Sequence, residues 1–271
     1  MRLGVVGDLH WAAGATGDRA WHNPYDFAGL GDRLMAAAGW FRDAGADAVA
    51  VLGDVANVGD DAALRRPLEL LLAAGVPLLV VPGNHDVGVA ADGLARAAAP
   101  LGDELHVAPF ARRLDGLVAL GVGLASEDGG LTAHGVLPAL PPGRAVRVVL
   151  SHYPLVSQAL ALAEQGFAHP GDLLNRAALE DGLRDGPAVV LHGHLHARVV
   201  ACRDGVLQLG VAALVEHPAE AALLELAEDD AGLVVRLQPR SLAALPHRRT
   251  PVLTAQRAWR FDGGRWRDAD G

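Results

Sequence analysis

Residues 77–86 read Pro77-Leu78-Leu79-Val80-Val81-Pro82-Gly83-Asn84-His85-Asp86, an apolar run, a turn, and then side chains with nitrogen and oxygen donors. An unbroken apolar run of this length is a strand buried on both faces, because it keeps no solvent face for polar residues. Runs of the same kind recur at residues 3–7, 48–53, 117–122, 146–150 and 188–191. Between several of them lie Ala/Leu-rich stretches with helical spacing, at residues 27–44, 62–74, 88–98 and 154–165. Strand alternating with helix predicts an α/β fold.

Beyond residue 196 the pattern changes to hairpins. Residues 199–202 and 206–209 flank Arg203-Asp204-Gly205, and residues 221–226 and 233–237 flank a Glu-Asp-Asp-Ala-Gly turn, so the second half is expected to be antiparallel. From residue 240 the composition shifts again, to seven Arg against three Asp, with a hairpin expected around Asp262-Gly263-Gly264 between Trp259 and Trp266. The sequence therefore divides into a main domain, 1–239, and a C-terminal extension, 240–271, read as a peripheral hairpin or tail that covers a sheet edge or joins a second copy as a homodimer.

Composition excludes several classes. The chain has 271 residues, 51% hydrophobic, enough for a core without staples, and it is not a disordered or collagen-like chain. A net charge of −9 argues against a surface built for nucleic acid, since phosphate backbones call for excess Lys and Arg. Cys202 is the single cysteine, which excludes an internal disulfide and a thiolate metal cluster. There is no membrane span and no signal-peptide apolar region in the sequence, so a soluble, cytoplasmic protein is expected.

The chemistry concentrates after five of the apolar runs: Gly7-Asp8-Leu9-His10, Gly53-Asp54, Gly83-Asn84-His85-Asp86, Ser151-His152 and His192-Gly193-His194-Leu195-His196. The carboxyl ends of strands are where α/β sheets gather their ligands. In extended chain residues i and i+2 point the same way, so Asp8 with His10 and His194 with His196 could each present two donors to one place. Seven candidate metal ligands result: Asp8, His10, Asp54, Asn84, His152, His194 and His196. Imidazole, carboxylate and one amide, without sulfur, suit Mn, Fe or Zn, with Mg a partial fit. Seven ligands are too many for one catalytic ion that keeps an open position, and they fit two ions sharing a carboxylate.

Together these blocks resemble the five signature blocks of the calcineurin-like metallophosphoesterase superfamily, over roughly residues 1–200. The resemblance implies a four-layer α-β-β-α sandwich of two mixed sheets flanked by helices, carrying a two-metal hydrolytic site. It implies Asp8, His10 and His196 on one ion, Asn84, His152 and His194 on the other, and Asp54 bridging, with Mn or Fe the first expectation. A hydroxide shared by the two ions would be the nucleophile, and His85 the acid beside the leaving oxygen.

The segment from Gly53 to Asp86 looks most similar to the bacterial cyclic-nucleotide phosphodiesterase branch, so a small phosphodiester is the expected substrate. A phosphomonoesterase or protein phosphatase is the alternative, with a nuclease or an inactive scaffold behind it. Many relatives carry an aspartate where this chain has Asn57, and there the carboxylate orients the catalytic histidine. Asn57 is accordingly expected to accept from His85 through its side-chain amide and to stabilise imidazolium less. Trp11, Trp21 and Tyr25 follow His10 closely, where they could stack an aromatic substituent of the substrate or simply pack the loop.

Overall fold

The computed structural model describes residues 1–12, 21–57, 60–87, 92–114, 116–125, 131–139, 146–168, 171–184, 186–230 and 232–269. In chain order the first half contains β1 (Arg2–Val6), α1 (Leu30–Asp43), β2 (Ala48–Val51), α2 (Asp61–Leu71), β3 (Leu78–Val80), α3 (Asn84–Val87), α4 (Gly93–Ala98), β4 (Leu105–Val107), β5 (Phe110–Leu114), β6 (Leu117–Gly121), β7 (Gly123–Ala125) and β8 (His134–Val136). The second half contains β9 (Arg147–Ser151), α5 (Ala159–Glu164), α6 (Arg176–Asp181), β10 (Ala188–His192), β11 (Val199–Arg203), β12 (Val206–Gly210), β13 (Glu220–Asp229), β14 (Gly232–Ser241), β15 (Ala258–Asp262) and β16 (Arg265–Asp268).

Two mixed sheets carry the fold. The larger runs β16-β15-β14-β13-β1-β2-β3-β4, parallel from β1 to β4 and antiparallel from β1 outward to β16. The smaller runs β11-β12-β10-β9-β6-β5, parallel through β12, β10, β9 and β6, with antiparallel strands at both edges.

Strand alternation explains the layers. Leu3, Val5, Ala48, Ala50 and Leu79 point from the larger sheet toward Val148, Leu150, Val189, Leu191 and Leu207 of the smaller one, forming the central core. The alternate residues Val6, Val49, Val51, Leu78 and Val80 face outward onto helices. There α1 presents Leu30, Leu34, Ala37, Ala38 and Phe41, one stripe at helical spacing, with Leu64 and Leu68 of α2 and Leu94 of α4 beside it. Gly4 sits under that stripe, where a Cβ would lie 2.6 Å from the Phe41 ring, so only glycine lets α1 lie this close. On the far side Val118, Leu120, Val149 and Val190 pack against Leu155, Leu173, Leu179 and Leu183, around α6. The result is the four-layer α-β-β-α sandwich.

Helical spacing overran the helices at several ends. The stretch 154–165 is helical only from Ala159 to Glu164, and in the stretch 88–98 the described helix is Gly93–Ala98, residues 88–91 lying outside the described residues. The expectation of an antiparallel second half holds for β11–β12 and β13–β14, while β10 pairs parallel with both β9 and β12.

The boundary expected after residue 239 falls inside β14, which pairs along its whole length with β13. The hairpin expected around Asp262-Gly263-Gly264 forms as β15 and β16 and extends the larger sheet. Trp259 and Trp266 are buried in the central core, and the Trp266 indole N–H donates to the Gly205 carbonyl at 2.7 Å. Both rings are thus buried within the chain. Among the described residues no helix is long and apolar enough to cross a membrane.

Candidate metal centre

The five motif-bearing segments converge at one end of the sandwich, beyond the carboxyl ends of β1, β2, β3, β9 and β10. Donor atoms of Asp8, His10, Asp54 and His196 all lie within 4.8 Å of one another, in residues that are buried. The Asp54 carboxylate reaches both sides of the site: Oδ2 is 3.4 Å from His10 Nε2, and Oδ1 is 3.5 Å from His152 Nε2. His152 Nε2 is in turn 3.1 Å from Asn84 Oδ1, and the His194 ring lies 5.0 Å from the His152 ring. All seven expected ligands are therefore brought together, in two groups that meet at Asp54.

The backbone reason differs from the extended alternation suggested by the sequence. Strands β1 and β10 end at Val6 and His192, and Asp8, His10, Asp54, His194 and His196 all adopt left-handed conformations, with φ between 48° and 64°. Such a conformation costs a residue with a Cβ about 1–3 kcal/mol and persists only where the surroundings impose it. Here the imposing contacts are Asp8 N–H to the Gly53 carbonyl at 3.1 Å, His10 N–H to the Asp54 carbonyl at 2.7 Å and His194 N–H to Asp8 Oδ1 at 2.9 Å. Gly83 allows the β3 turn to approach: a Cβ there would stand 2.1 Å from Asp54 Oδ1.

Hydrogen bonding fixes which ring nitrogens face inward. His152 Nδ1 donates to the Leu52 carbonyl at 2.8 Å, and His196 Nδ1 donates to Glu216, because a carbonyl or carboxylate can only accept. In the neutral ring Nε2 of His152 is then a lone pair aimed at Asn84 Oδ1 and Asp54 Oδ1. Three acceptors converging on one point is an arrangement that a cation resolves. Among the described residues Asp8 Oδ2 is buried without a hydrogen-bond partner, as further capacity for an ion. The residues present thus fit divalent metal ions bound through nitrogen and oxygen.

The electrostatics agree. Burial disfavours imidazolium at His196, yet Asp8, Glu216 and Asp54 outweigh it and carry this group up to about 9, so positive charge is welcome at Nε2, as a proton or as a metal. Burial pushes Asp8 up and His10 well down. Asp54 is held below the ordinary carboxylate range: burial opposes ionisation, and the imidazoles of His152, His10 and His85 prevail.

His85 stands at the part-exposed rim. Its N–H donates to Asp54 Oδ1 at 3.0 Å, and its Nδ1 faces the backbone carbonyl of Asn57 at 3.0 Å. This corrects the expectation for Asn57: the contact to His85 comes from its backbone oxygen rather than its side-chain amide, because the turn after β2 aims that carbonyl at the ring. The carboxylate that organises this corner is Asp86, which accepts from the N–H groups of Val55, Ala56 and Gly83 at 3.1, 3.1 and 2.8 Å and so ties the β2 turn to the β3 turn.

Glu216 gave no signal in the sequence, since it lies 20 residues from His196 in a segment without a motif. Its neighbours in the cavity divide the aromatic expectation. Tyr25 stands 5.1 Å from the His10 ring and Trp21 is 37% exposed at the mouth, whereas Trp11 is bridged to Ala56 and packs beside Gly31 of α1. Leu131, 52% exposed, forms the opposite wall, and its carbonyl accepts from the Tyr153 hydroxyl at 3.0 Å. His22 is buried: its Nε2 donates to the Leu195 carbonyl at 3.0 Å and its ring meets Phe167 edge-on.

A two-sheet α-β-β-α sandwich with a histidine and carboxylate centre at its strand ends is the framework of a metal-dependent phosphoester hydrolase. The calcineurin-like phosphoesterase family model matches residues 1–198, and the chain belongs to that family. Among solved structures, a dimetal phosphatase from Danio rerio superposes with a TM-score of 0.62 at 17% identity, over 89% of this chain and 96% of that one. A phosphopantetheinyl hydrolase from Mycobacterium tuberculosis does so with a TM-score of 0.50 at 19% identity, over 78% and 89%. At these identities the likeness is one of fold. No curated protein matches the chain.

Proposed function

We propose that this phosphoesterase is a phosphodiesterase acting on a small diester with an apolar or aromatic substituent, a class that includes cyclic nucleotides. The observation that carries the reading is the lining of the cavity. Its described walls are His10, Trp21, Tyr25, Asp54, Asn84, His85, Leu131, His194 and His196, without a guanidinium among them, and the chain has no lysine. A phosphomonoester brings a second negative charge, which fixed cations beyond the metal ligands would be needed to balance. A diester brings one charge and a second organic substituent, for which Trp21, Tyr25 and Leu131 offer apolar surface.

Asp8, His10, Asp54 and His196 would hold one divalent ion and Asp54, Asn84, His152 and His194 the other, a nitrogen and oxygen donor set that suits Mn, Fe or Zn. Such a pair, when bound, polarises the phosphoryl group and lowers the pKa of a coordinated water. The chain's own residues supply the rest. His152 and His196 are locked in the tautomer that presents Nε2, Asp54 joins the two groups, and the carbonyl of Asn57 accepts from Nδ1 of His85 and orients the ring. From Nε2 that ring can donate to the departing ester oxygen.

The test compares bis-p-nitrophenyl phosphate with p-nitrophenyl phosphate, using protein stripped of metal and reloaded with Mn or Fe(II). We expect metal-dependent cleavage with kcat/KM for the diester at least about tenfold above the monoester. Monoester preference would overturn the reading.

A further inference from the structure

We infer that a C-terminal strap, residues 247–253, works as part of the cavity: through Asn23, a positioning residue, it fixes the Trp21–Tyr25 wall relative to His196 and thereby sets substrate affinity. The inference rests on the proposed phosphodiesterase reading only for what the wall touches. The strap lies outside the segment that matches the family, residues 1–198.

Asn23 is fully buried, and its polar atoms are divided between two other segments, 216–217 and 248–249. Its side-chain oxygen accepts from the N–H groups of Arg248 and Arg249 at 2.7 and 3.0 Å, and its amide nitrogen donates to the His217 carbonyl at 3.3 Å. Its backbone N–H donates to one oxygen of Glu216, while the other Glu216 oxygen accepts from His196. An amide suits this position because it both accepts and donates, and a buried polar side chain with its bonds made holds a single geometry. A two-bond path therefore runs from the strap through Asn23 to the carboxylate that orients a ligand histidine.

The strap is itself fastened to the segment that carries His196. Arg198 N–H donates to the Pro251 carbonyl at 2.8 Å and Leu253 N–H to the Arg198 carbonyl at 2.9 Å. The Leu253 side chain packs on the cluster formed with Leu195 and Ala197. The Arg249 guanidinium donates to the Gly166 carbonyl and lies 5.5 Å from the centre of the Phe167 ring, the ring that His22 meets from another side. Both neighbours of the wall, His22 and Asn23, are thus held from behind by residues remote in sequence, and Trp21 and Tyr25 on either side of them inherit that position.

The experiment uses the full metal-loaded chain and two variants, Asn23→Ala and Arg249→Ala. Hydrogen exchange without substrate should show amides 21–27 exchanging at least about tenfold faster in Asn23→Ala, with β1, β2 and β10 unchanged. With bis-p-nitrophenyl phosphate, KM should rise about tenfold while kcat stays within about threefold, and Arg249→Ala should shift both readouts in the same direction by about threefold. Unchanged exchange at 21–27, or faster exchange with unchanged KM, would overturn the inference. Should Asn23→Ala not fold, Arg249→Ala decides by the same two readouts. If the native protein prefers the monoester, the phosphodiesterase reading fails by itself, and the variants are then compared on p-nitrophenyl phosphate.

Discussion

The floor of the cavity and its walls are built in different ways. The floor comes from short strings attached to the ends of β1, β2, β3, β9 and β10, strands that hold one another in fixed register and are buried on both faces. The walls come from Trp21, Tyr25 and Leu131, held by Asn23, Glu216 and Tyr153, residues that share no motif and meet only through the tertiary fold. In the proposed reading, chemistry is thus placed on strand ends held by the sheets and substrate contact on the loops beside them.

The largest effect should come from the floor. Asp54→Asn removes the charge that both metal groups share, and kcat/KM for bis-p-nitrophenyl phosphate should fall on the order of 10³-fold, with metal content after dialysis reduced as well. Retention of both ions and of activity would end the view that Asp54 joins the two groups. His85→Ala should lose about 10²–10⁴-fold in kcat with metal content unchanged, and lose less with a p-nitrophenoxide leaving group than with an alkoxide. Equal losses for both leaving groups would remove its role as an acid.

Glu216→Gln probes where floor and wall meet. It keeps the side chain's size and removes the charge behind His196, so metal affinity should weaken about 10–100-fold in a chelator competition titration. A purely local wall effect would instead raise KM at constant metal affinity.

Trp21→Ala tests the wall alone, with KM rising about fivefold to tenfold for an aryl diester and little change in kcat or metal content. The smallest effect is expected at Asn57→Ala. The backbone carbonyl that His85 Nδ1 faces survives this change, so kcat should fall by less than about threefold. A larger loss, accompanied by a shifted pH–rate profile, would return the role to the side chain.

The position of the floor was legible in the sequence for a physical reason. A strand buried on both faces is written as an apolar run, and donors clustered just after such runs are confined to one end of a sheet, so Asp8, Asp54, Asn84, His152 and His194 could be placed without knowing their neighbours. The local geometry was less legible. Asp8 and His10 do not lie in extended chain, and their left-handed backbone is imposed by carbonyls of Gly53 and Asp54, some 45 residues away. Short edge elements were also missed: β5 reads Phe-Ala-Arg-Arg-Leu, with its middle residues exposed, because one side of an edge strand has no partner to bury it.

By itself the sequence determined the alternation of strand and helix and the five donor-bearing strand ends, since each is encoded in contiguous residues whose spacing is set by the repeat of a strand or a helix, while the layer order was implied by the family resemblance that those strings carry. Only the tertiary structure decided that Trp259 and Trp266 belong to the central core, that a backbone oxygen of residue 57 holds His85, and that Glu216 and Asn23 stand behind the site. These depend on contacts between residues dozens to hundreds of positions apart. No local pattern records such a contact, because the free energy that selects it, burial of apolar surface and pairing of buried polar groups, is a property of the packed chain as a whole.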